Sequence, residues 1–477
     1  MAQLHRRASE SRTPAGRLGS VVTLPIMTSW PQAQQPSAWH LPLASDGLPA
    51  VPTPPELESW RVQSAWRPVS TARGRQLVVT ASVVLLLAIC GLLIAWQIGS
   101  STGSIGFVLG ACLAALPVPL LVWCYRWLDR YEPEPTRVLL FALAWGAAVA
   151  TLAALFLNRL GADVFFDGTR RGDIGTATFV APPVEEFAKG LVVVLLAWRR
   201  RVNGVVDGIV FAGLSAVGFA FTENILYLGS TYSMLSDEVG PGTGVLGLVF
   251  VFILRGIVSP FAHPLFTMAT GVGVGIAVVT RRRWLKVAAP LGGYAVAMTL
   301  HGTWNATASS GLGGFALAYA AVMLPVLGIG VFLALWFRRR EGRVLRTRLP
   351  VFAEAGWIAP HEVAVLSSLW LRRLVGDVAR FSGGSGLQRA TRDYQDLVTT
   401  LAFQRERLAN SRRVERTIRE QVETLAALPA LRAQAFIPPP PFQRPPFAPP
   451  VHPPIQAPYP PAGFMPPYDP RAQPYPR

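Results

Sequence analysis

The stretch APPVEEFAKGLVVVLLAW, residues 181–198, combines an apolar run of membrane-spanning length with three charged side chains near one end. Further apolar runs lie near 77–98, 104–124, 138–158, 205–228, 245–280, 288–309 and 316–337. Most of them match the roughly 20 residues that a helix needs to cross a bilayer. The chain is 51% hydrophobic and only 15% charged. The sequence therefore predicts an all-α fold, a polytopic membrane helical bundle of about eight transmembrane helices.

The run 245–280 is too long for one straight span, and it contains Arg255 and Pro260. Proline interrupts a helix because it lacks a backbone N–H and clashes with the preceding turn. We therefore expect a short helix, a break, and one membrane span from about 262 to 280.

The loops between the apolar runs alternate in charge. Arginine-rich segments lie at 125–137, 199–201, 281–286 and 338–343, whereas 100–104, 230–242 and 309–314 contain fewer cations. Because cationic loops tend to remain in the cytoplasm, this alternation predicts a multi-pass protein of the cell membrane with both termini cytoplasmic. The same loops account for much of the net charge of +17. Since the arginines flank apolar runs and form no single patch, we expect no nucleic-acid partner.

Composition divides the chain into four regions. They are a disordered N-terminal tail (1–75), a transmembrane core (76–340), a cytoplasmic helical region (345–430) and a Pro-rich disordered tail (438–477). The tails are rich in proline and polar residues and lack the periodicity of a packed element. Within the cytoplasmic region, SGGSG (382–386) indicates a turn between two helical segments. We expect this region to contact a cytoplasmic partner, which the sequence does not identify.

Four polar motifs interrupt the apolar runs. They are EEFAK (185–189), FAFTEN (219–224), His263 in FAHPLFT, and HGTWN (301–305). An ionisable side chain inside a bilayer costs about 2.5–3.5 kcal/mol on insertion scales, so it usually marks a functional site. In the predicted topology all four motifs lie within roughly the outer 15 Å of the membrane. Four other runs contain no charged residue. The common depth predicts one polar site on the outer side.

The spacing of these residues suits shared helix faces. Glu185 and Lys189 are four residues apart, as are His301 and Asn305, so each pair lies on one side of its helix. Carboxylates and imidazoles are ligands that zinc accepts, and zinc lowers the pKa of bound water. These residue types predict a hydrolytic or metal site.

The roles follow from the chemistry of each side chain. The predicted zinc ligands are Glu223, His263 and His301. The predicted catalytic residues are Glu185 as the base, Glu186 as a supporting or alternative ligand, and Asn305 as the oxyanion donor. The partner implied by the apolar runs is the lipid bilayer.

Each motif also has a purely structural interpretation. Glu185 and Lys189 form a buried ion pair in that view. Glu223 and His263 are interfacial residues. The polar residues of 301–305 form hydrogen bonds between helices, which are common in membranes. The four motifs are predicted to lie at one depth in the membrane. One functional site explains this common depth better than three independent structural roles do.

Taken together, the four motifs resemble the PrsW family of intramembrane metalloproteases, which belong with CAAX-type prenyl endopeptidases in a larger superfamily. The resemblance covers about 120–337 and includes DRYEPEP (129–135). It implies hydrolysis of a peptide bond of a membrane-anchored protein substrate in or near the membrane, such as an anti-sigma factor cut from its extracytoplasmic side. CAAX-type relatives have FxxxH where this chain has Phe219 and Glu223. The resemblance therefore leaves two mechanisms open, a zinc-dependent one and one in which a glutamate activates water without a tightly bound metal.

Two other functions remain as alternatives. An ion- or proton-coupled transporter places polar groups near the bilayer midplane, often within internal repeats. The polar groups here lie off centre, and the chain contains no obvious repeat. A non-catalytic membrane scaffold that acts through its cytoplasmic region is the third interpretation.

Overall fold

The computed structural model describes residues 43–63, 72–166, 170–308, 311–410 and 414–440. These ranges are helical apart from turns and an isolated bridge between Leu43 and Pro49, and they contain no strand. The helices are α1 (Pro54–Gln63), α2 (Ala72–Ala115), α3 (Val118–Leu128), α4 (Thr136–Ala144), α5 (Thr151–Phe165), α6 (Arg170–Gly175), α7 (Ala181–Trp198), α8 (Val205–Glu238), α9 (Pro241–Phe252), α10 (Ala262–Val279), α11 (Leu285–Ala308), α12 (Gly311–Ala318), α13 (Leu324–Glu354), α14 (Pro360–Leu366), α15 (Leu369–Asn410) and α16 (Val414–Gln434). Single π-helical turns lie at Trp145–Ala150, Thr176–Val180, Ile253–Val258 and Tyr319–Met323.

Long apolar helices make this a multi-pass membrane protein. Within the described ranges, five segments are long and apolar enough to cross a bilayer: Val78–Leu128, Thr136–Phe165, Val205–Glu238, Pro241–Val279 and Gly311–Glu354. The first contains 51 residues and bends at Gly103 (φ +67°), so its length suffices for two crossings. Helix α7 is not among the five because its 18 residues include three charged side chains. The all-α membrane bundle is confirmed, and the count of eight spans stays a prediction.

Helix α8 forms the centre of the bundle. In the most apolar stretch of 18 residues in α8, protein buries 94% of the residues. In the matching stretches of three of the other segments it buries 11%. Close approach to α8 depends on glycines. A Cβ at Gly208 or Gly271 would overlap backbone of the facing helix, and so would one at Gly146 or Gly218. Small residues at such crossings allow membrane helices to pack closely.

A methyl group at Gly218 tests this packing. In Gly218→Ala the new Cβ would overlap the carbonyl oxygen of Leu143, so the two helices must move apart. We expect a loss of about 1–3 kcal/mol of stability, the usual range for overpacking. Thermal unfolding in detergent measures it. The matched control is Gly328→Ala, because nothing lies within 4 Å of the added atom there. Equal midpoints for both variants would contradict the packing argument.

The break predicted inside the run 245–280 is confirmed. Helix α9 is followed by the π-helical turn Ile253–Val258, and α10 begins only at Ala262. The turn places Arg255 next to α8. Helix α10 in turn packs against α7, α8 and α11. These four helices surround the polar residues.

The region predicted to be cytoplasmic, residues 345–430, has a core of its own, called here the cytoplasmic core after that prediction. Residues from α13 to α16 form it, among them Leu345, Phe352, Tyr394, Leu401 and Leu425. The break of α15 at Gly383 and Gly384 matches the predicted turn.

The N-terminal segment corrects one prediction. The sequence predicted disorder throughout 1–75, but residues 43–63 lie against the cytoplasmic core, where Val51 and Leu57 are buried. Asp46 accepts hydrogen bonds from the guanidinium of Arg405 at 2.7 and 2.8 Å. The segment folds because the core supplies partners that local sequence does not show. The remainder of that predicted tail, apart from 72–75, and residues 441–477 lie outside the described residues.

Candidate active site

The polar residues of all four motifs meet between α7, α8, α10 and α11. Helix α7 contributes Glu185, Glu186 and Lys189, each buried, and α8, α10 and α11 add one motif each. His263 and His301 are also buried, and their ring centroids lie 5.0 Å apart. Glu185 and Glu186 lie four and three residues before Lys189, and Lys189 contacts both carboxylates. All three side chains therefore share the side of α7 that faces α10 and α11.

Three side chains lie close enough to hold one metal ion. Single ligand atoms of Glu185, His263 and His301 all lie within 4.8 Å of one another. Glu185 Oε1 accepts a hydrogen bond from Asn158 Nδ2 at 3.2 Å. Glu185 Oε2 is buried without a hydrogen-bond partner, 3.7 Å from His301 Nε2. A buried oxygen of this kind usually has a proton donor, a water or an ion as its partner.

Each histidine is backed by a second carboxylate. His301 Nδ1 lies 2.9 Å from Glu186 Oε1, and His263 Nε2 lies 2.8 Å from Glu223 Oε2. An ionised carboxylate only accepts hydrogen bonds, so these two ring nitrogens carry the protons. The opposite nitrogens, His301 Nε2 and His263 Nδ1, are then left with lone pairs. Histidines that bind metals are commonly oriented by a carboxylate in this way.

Lys189 is the cation at the centre of the cluster. Its Nζ lies 2.6 Å from Glu186 Oε1 and 3.7 Å from Glu185 Oε2, so it pairs more closely with Glu186 than with the predicted partner. It also donates to His263 Nδ1 at 3.2 Å. A metal ion bound at His263 Nδ1 would therefore replace the hydrogen bond from Lys189, while the ion pair between Lys189 and Glu186 remains.

Glu186 is fully engaged. Besides Lys189 and His301 at Oε1, it accepts a hydrogen bond from Thr267 Oγ1 at Oε2, at 2.7 Å. Both oxygens thus serve to orient neighbours. Glu185, whose Oε2 has no hydrogen-bond partner, is therefore the carboxylate of EEFAK that lines a cavity.

Glu223 lies behind His263 and away from His301. Arg255 Nη2 donates to Glu223 Oε2, and Arg255 Nε donates to Asn224 Oδ1 at 2.7 Å. The guanidinium also stacks on the ring of Tyr227 at 4.1 Å. Among the described residues, Glu185 thus shares the group of close ligand atoms with the two histidines, and Glu223 contacts only His263 of that group. The roles assigned to the two carboxylates from the sequence stay predictions.

Sequence reasoning missed two residues of this site. Arg255 was noted only as a residue within the run 245–280, although the cost of an arginine inside an apolar run was a usable signal. Asn158 received no role, because an amide near the end of an apolar run costs less than a charge. Asn305, the predicted oxyanion donor, donates to the carbonyl oxygen of Ala177 at 2.8 Å. It lines the same 460 Å³ cavity as Glu185.

The family comparison agrees with this geometry. Residues 134–334 match the family described as PrsW family intramembrane metalloprotease. Residues 134–334 are therefore similar to the PrsW family. Protease PrsW from Clostridioides difficile (strain 630) is 29% identical over 160 residues, which are 33% of this chain and 62% of that relative. The match thus spans less than two thirds of the relative's length. No solved structure matched the chain.

The PrsW match contains the whole polar cluster. Every residue from Asn158 to Asn305 discussed above lies inside 134–334, including the missed Arg255. The N-terminal segment 43–63 and the helices α14 to α16 lie outside it.

Proposed function

We propose that the protein is an intramembrane endopeptidase that hydrolyses a peptide bond of a membrane-anchored protein. The observation that carries this proposal is the unpartnered Oε2 of Glu185, which lies beside two carboxylate-backed histidines at the wall of a cavity. Similarity to the PrsW family and the name of the relative support it. The anti-sigma factor named above is one substrate of the required kind.

The donor set fits zinc. One carboxylate and two imidazoles are a ligand combination that catalytic zinc accepts, with a fourth position open. His263 Nδ1, His301 Nε2 and Glu185 would hold the ion, with Glu223 and Glu186 behind the histidines. When bound, zinc polarises a carbonyl and lowers the pKa of a bound water to about 7. Three carboxylates against the cations Lys189 and Arg255 leave one negative charge, which also favours a cation.

The chain's own groups have defined tasks in hydrolysis. Water adds its hydroxyl to the acyl carbon, and its proton ends on the leaving amide nitrogen. In the metal-free arrangement Glu185 Oε2 takes the proton of the attacking water and passes it to that nitrogen, while Asn158 holds Oε1. Asn305 has a second amide N–H besides the one bound to Ala177, and it can stabilise the developing oxyanion.

Chelation separates the two mechanisms. We expect 1,10-phenanthroline to abolish cleavage of a single-span substrate by the purified protein, and added zinc to restore it, because only the metal completes the site. Metal content by mass spectrometry is measured on the same samples. Full activity in protein shown to be free of metal would favour the glutamate-and-water mechanism, with His263 and His301 reassigned to hydrogen bonding. No cleavage by metal-loaded protein would count against the proposed function.

The proposed orientation places the site near the outer face. Eight spans with both termini cytoplasmic put segment 230–242 outside and the arginines of 338–343 inside. Reporter fusions after Gly240 and after Gly342 should therefore report opposite sides of the cell membrane. If both fusions report the same side, the topology is wrong and the common depth of the motifs must be re-derived.

A further inference from the structure

Two cavities flank the polar cluster. One has a volume of 460 Å³ and borders Glu185 and Glu223; the other has 430 Å³ and borders His263 and Arg255. Tyr227 lines both. The Glu223–Arg255 ion pair, stacked on that ring, therefore separates them. The reactive groups lie at the junction, so a chain that reaches them from one cavity continues into the other.

The cavity of 460 Å³, called here the hydroxyl-lined cavity, is rich in small polar side chains. They are Thr151, Asn158, Thr222, Ser230 and Thr231. Asn158 Oδ1 is buried without a hydrogen-bond partner, while its amide nitrogen is held by Glu185. A buried acceptor of this kind suits a backbone N–H of a bound peptide, since an extended chain presents one at every residue except proline.

The cavity of 430 Å³, called here the aromatic cavity, differs in carrying several large aromatic rings, although the linings of both cavities are mainly apolar. Phe250, Leu254, Trp304 and Phe315 line it, and the rings of Trp304 and Phe315 are 5.1 Å apart. Its rim includes Leu312, which is 65% exposed, and Phe250, which is 48% exposed. In a membrane protein such exposed apolar side chains face lipid. The aromatic cavity therefore opens toward the bilayer.

We propose that one substrate chain occupies both cavities, with a large apolar side chain next to the cut bond in the aromatic cavity. The chain continues past Glu185 into the hydroxyl-lined cavity, where Asn158 Oδ1 accepts one of its backbone N–H groups. This inference rests on the proposed endopeptidase function and names the side chain that the site selects. The fit of that side chain in the aromatic cavity, and not a longer sequence motif of the substrate, selects the bond.

Leu254→Trp tests the aromatic cavity, because it fills space beside Phe250 and Phe315. The matched control is Ile257→Trp in the same π-helical turn, whose side chain is 62% exposed and does not line the cavity. Phe315→Ala makes the opposite change by enlarging the space. Full-length proteins in nanodiscs are incubated with synthetic single-span peptides in which the residues on either side of the span boundary are varied. Mass spectrometry then identifies each cut bond.

Wild type and Ile257→Trp should cut preferentially beside Leu, Met or Phe. Leu254→Trp should shift the preference toward Ala by about tenfold or more, since pocket discrimination of a few methylenes has that size. Phe315→Ala should gain relative activity beside Trp. Cleavage by all four proteins with one unchanged preference would overturn the inference and leave the endopeptidase function standing. If no protein cuts any peptide, the proposed function fails and takes the inference with it.

Discussion

Replacing Glu185 by glutamine is expected to lower the rate of peptide-bond hydrolysis by about 10²–10⁴-fold, the range for loss of a positioned proton acceptor. Glutamine keeps the size of the side chain, and its amide oxygen can still accept the hydrogen bond from Asn158. It cannot take a proton from water, and it binds zinc poorly. The loss is therefore expected under both mechanisms, with the protein still inserted and folded.

The metal content of Glu185→Gln then distinguishes its two roles. If Glu185 is a ligand, the variant should retain less zinc than wild type after dialysis. Wild-type zinc content with lost activity would show that Glu185 acts as the base alone. The matched control is Glu238→Gln at the end of α8, far from the cluster, which should cleave like wild type. Cleavage by Glu185→Gln at the wild-type rate would remove this residue from the mechanism.

His301→Ala is expected to abolish zinc retention and cleavage together. The imidazole belongs to the three side chains whose ligand atoms lie within 4.8 Å of one another, so its removal leaves only two of them. His263→Ala should behave in the same way. The expected decrease in zinc affinity exceeds the roughly 10–100-fold that removal of an outer hydrogen-bond partner produces.

The variant Glu223→Gln removes such an outer hydrogen-bond partner and so provides the comparison with loss of a ligand. Its carboxylate accepts the Nε2 proton of His263 but does not join the ligand atoms, so we expect only about 10–100-fold weaker zinc binding. Titration with zinc in the presence of a competing chelator measures all three variants. A larger effect for Glu223→Gln than for His301→Ala would restore the ligand set predicted from the sequence. Equal zinc affinity in all variants would indicate that no metal binds at these histidines.

The break of a helix at proline and the cost of moving a charge from water into lipid depend on single residues. Features that rest on these two effects were therefore predictable from the sequence. Pro260 has no backbone N–H wherever it occurs, so the break before α10 followed from the residue itself. Likewise, the cost of a charge in lipid marked Glu185, Glu186, Glu223 and the two histidines without knowledge of their neighbours. The fusion of these motifs into one buried cluster followed from their common depth.

Which side chains of the cluster contact one another depends on how each helix is turned toward its neighbours, and the spacing of residues along one helix does not give that orientation. Spacing of three or four residues relates side chains on one helix, but the angle at which α8 faces α10 is set by packing at glycines such as Gly208 and Gly271. That angle turns Glu223 toward Arg255 and leaves Glu185 between the histidines. Which of these two carboxylates lies in the group with both histidines was therefore outside the reach of sequence reasoning.

By itself, the sequence determined that this is a helical membrane protein with a polar site on α7, α8, α10 and α11, because membrane burial penalises each charge independently of the others. Only the tertiary structure decided which carboxylate oxygen lacks a hydrogen-bond partner, which cation lies near it, and that residues 43–63 pack against the core of α13 to α16. Those features depend on pairs of groups far apart in the chain. A contact such as that of Asp46 with Arg405 stabilises either partner only after the fold has brought both together.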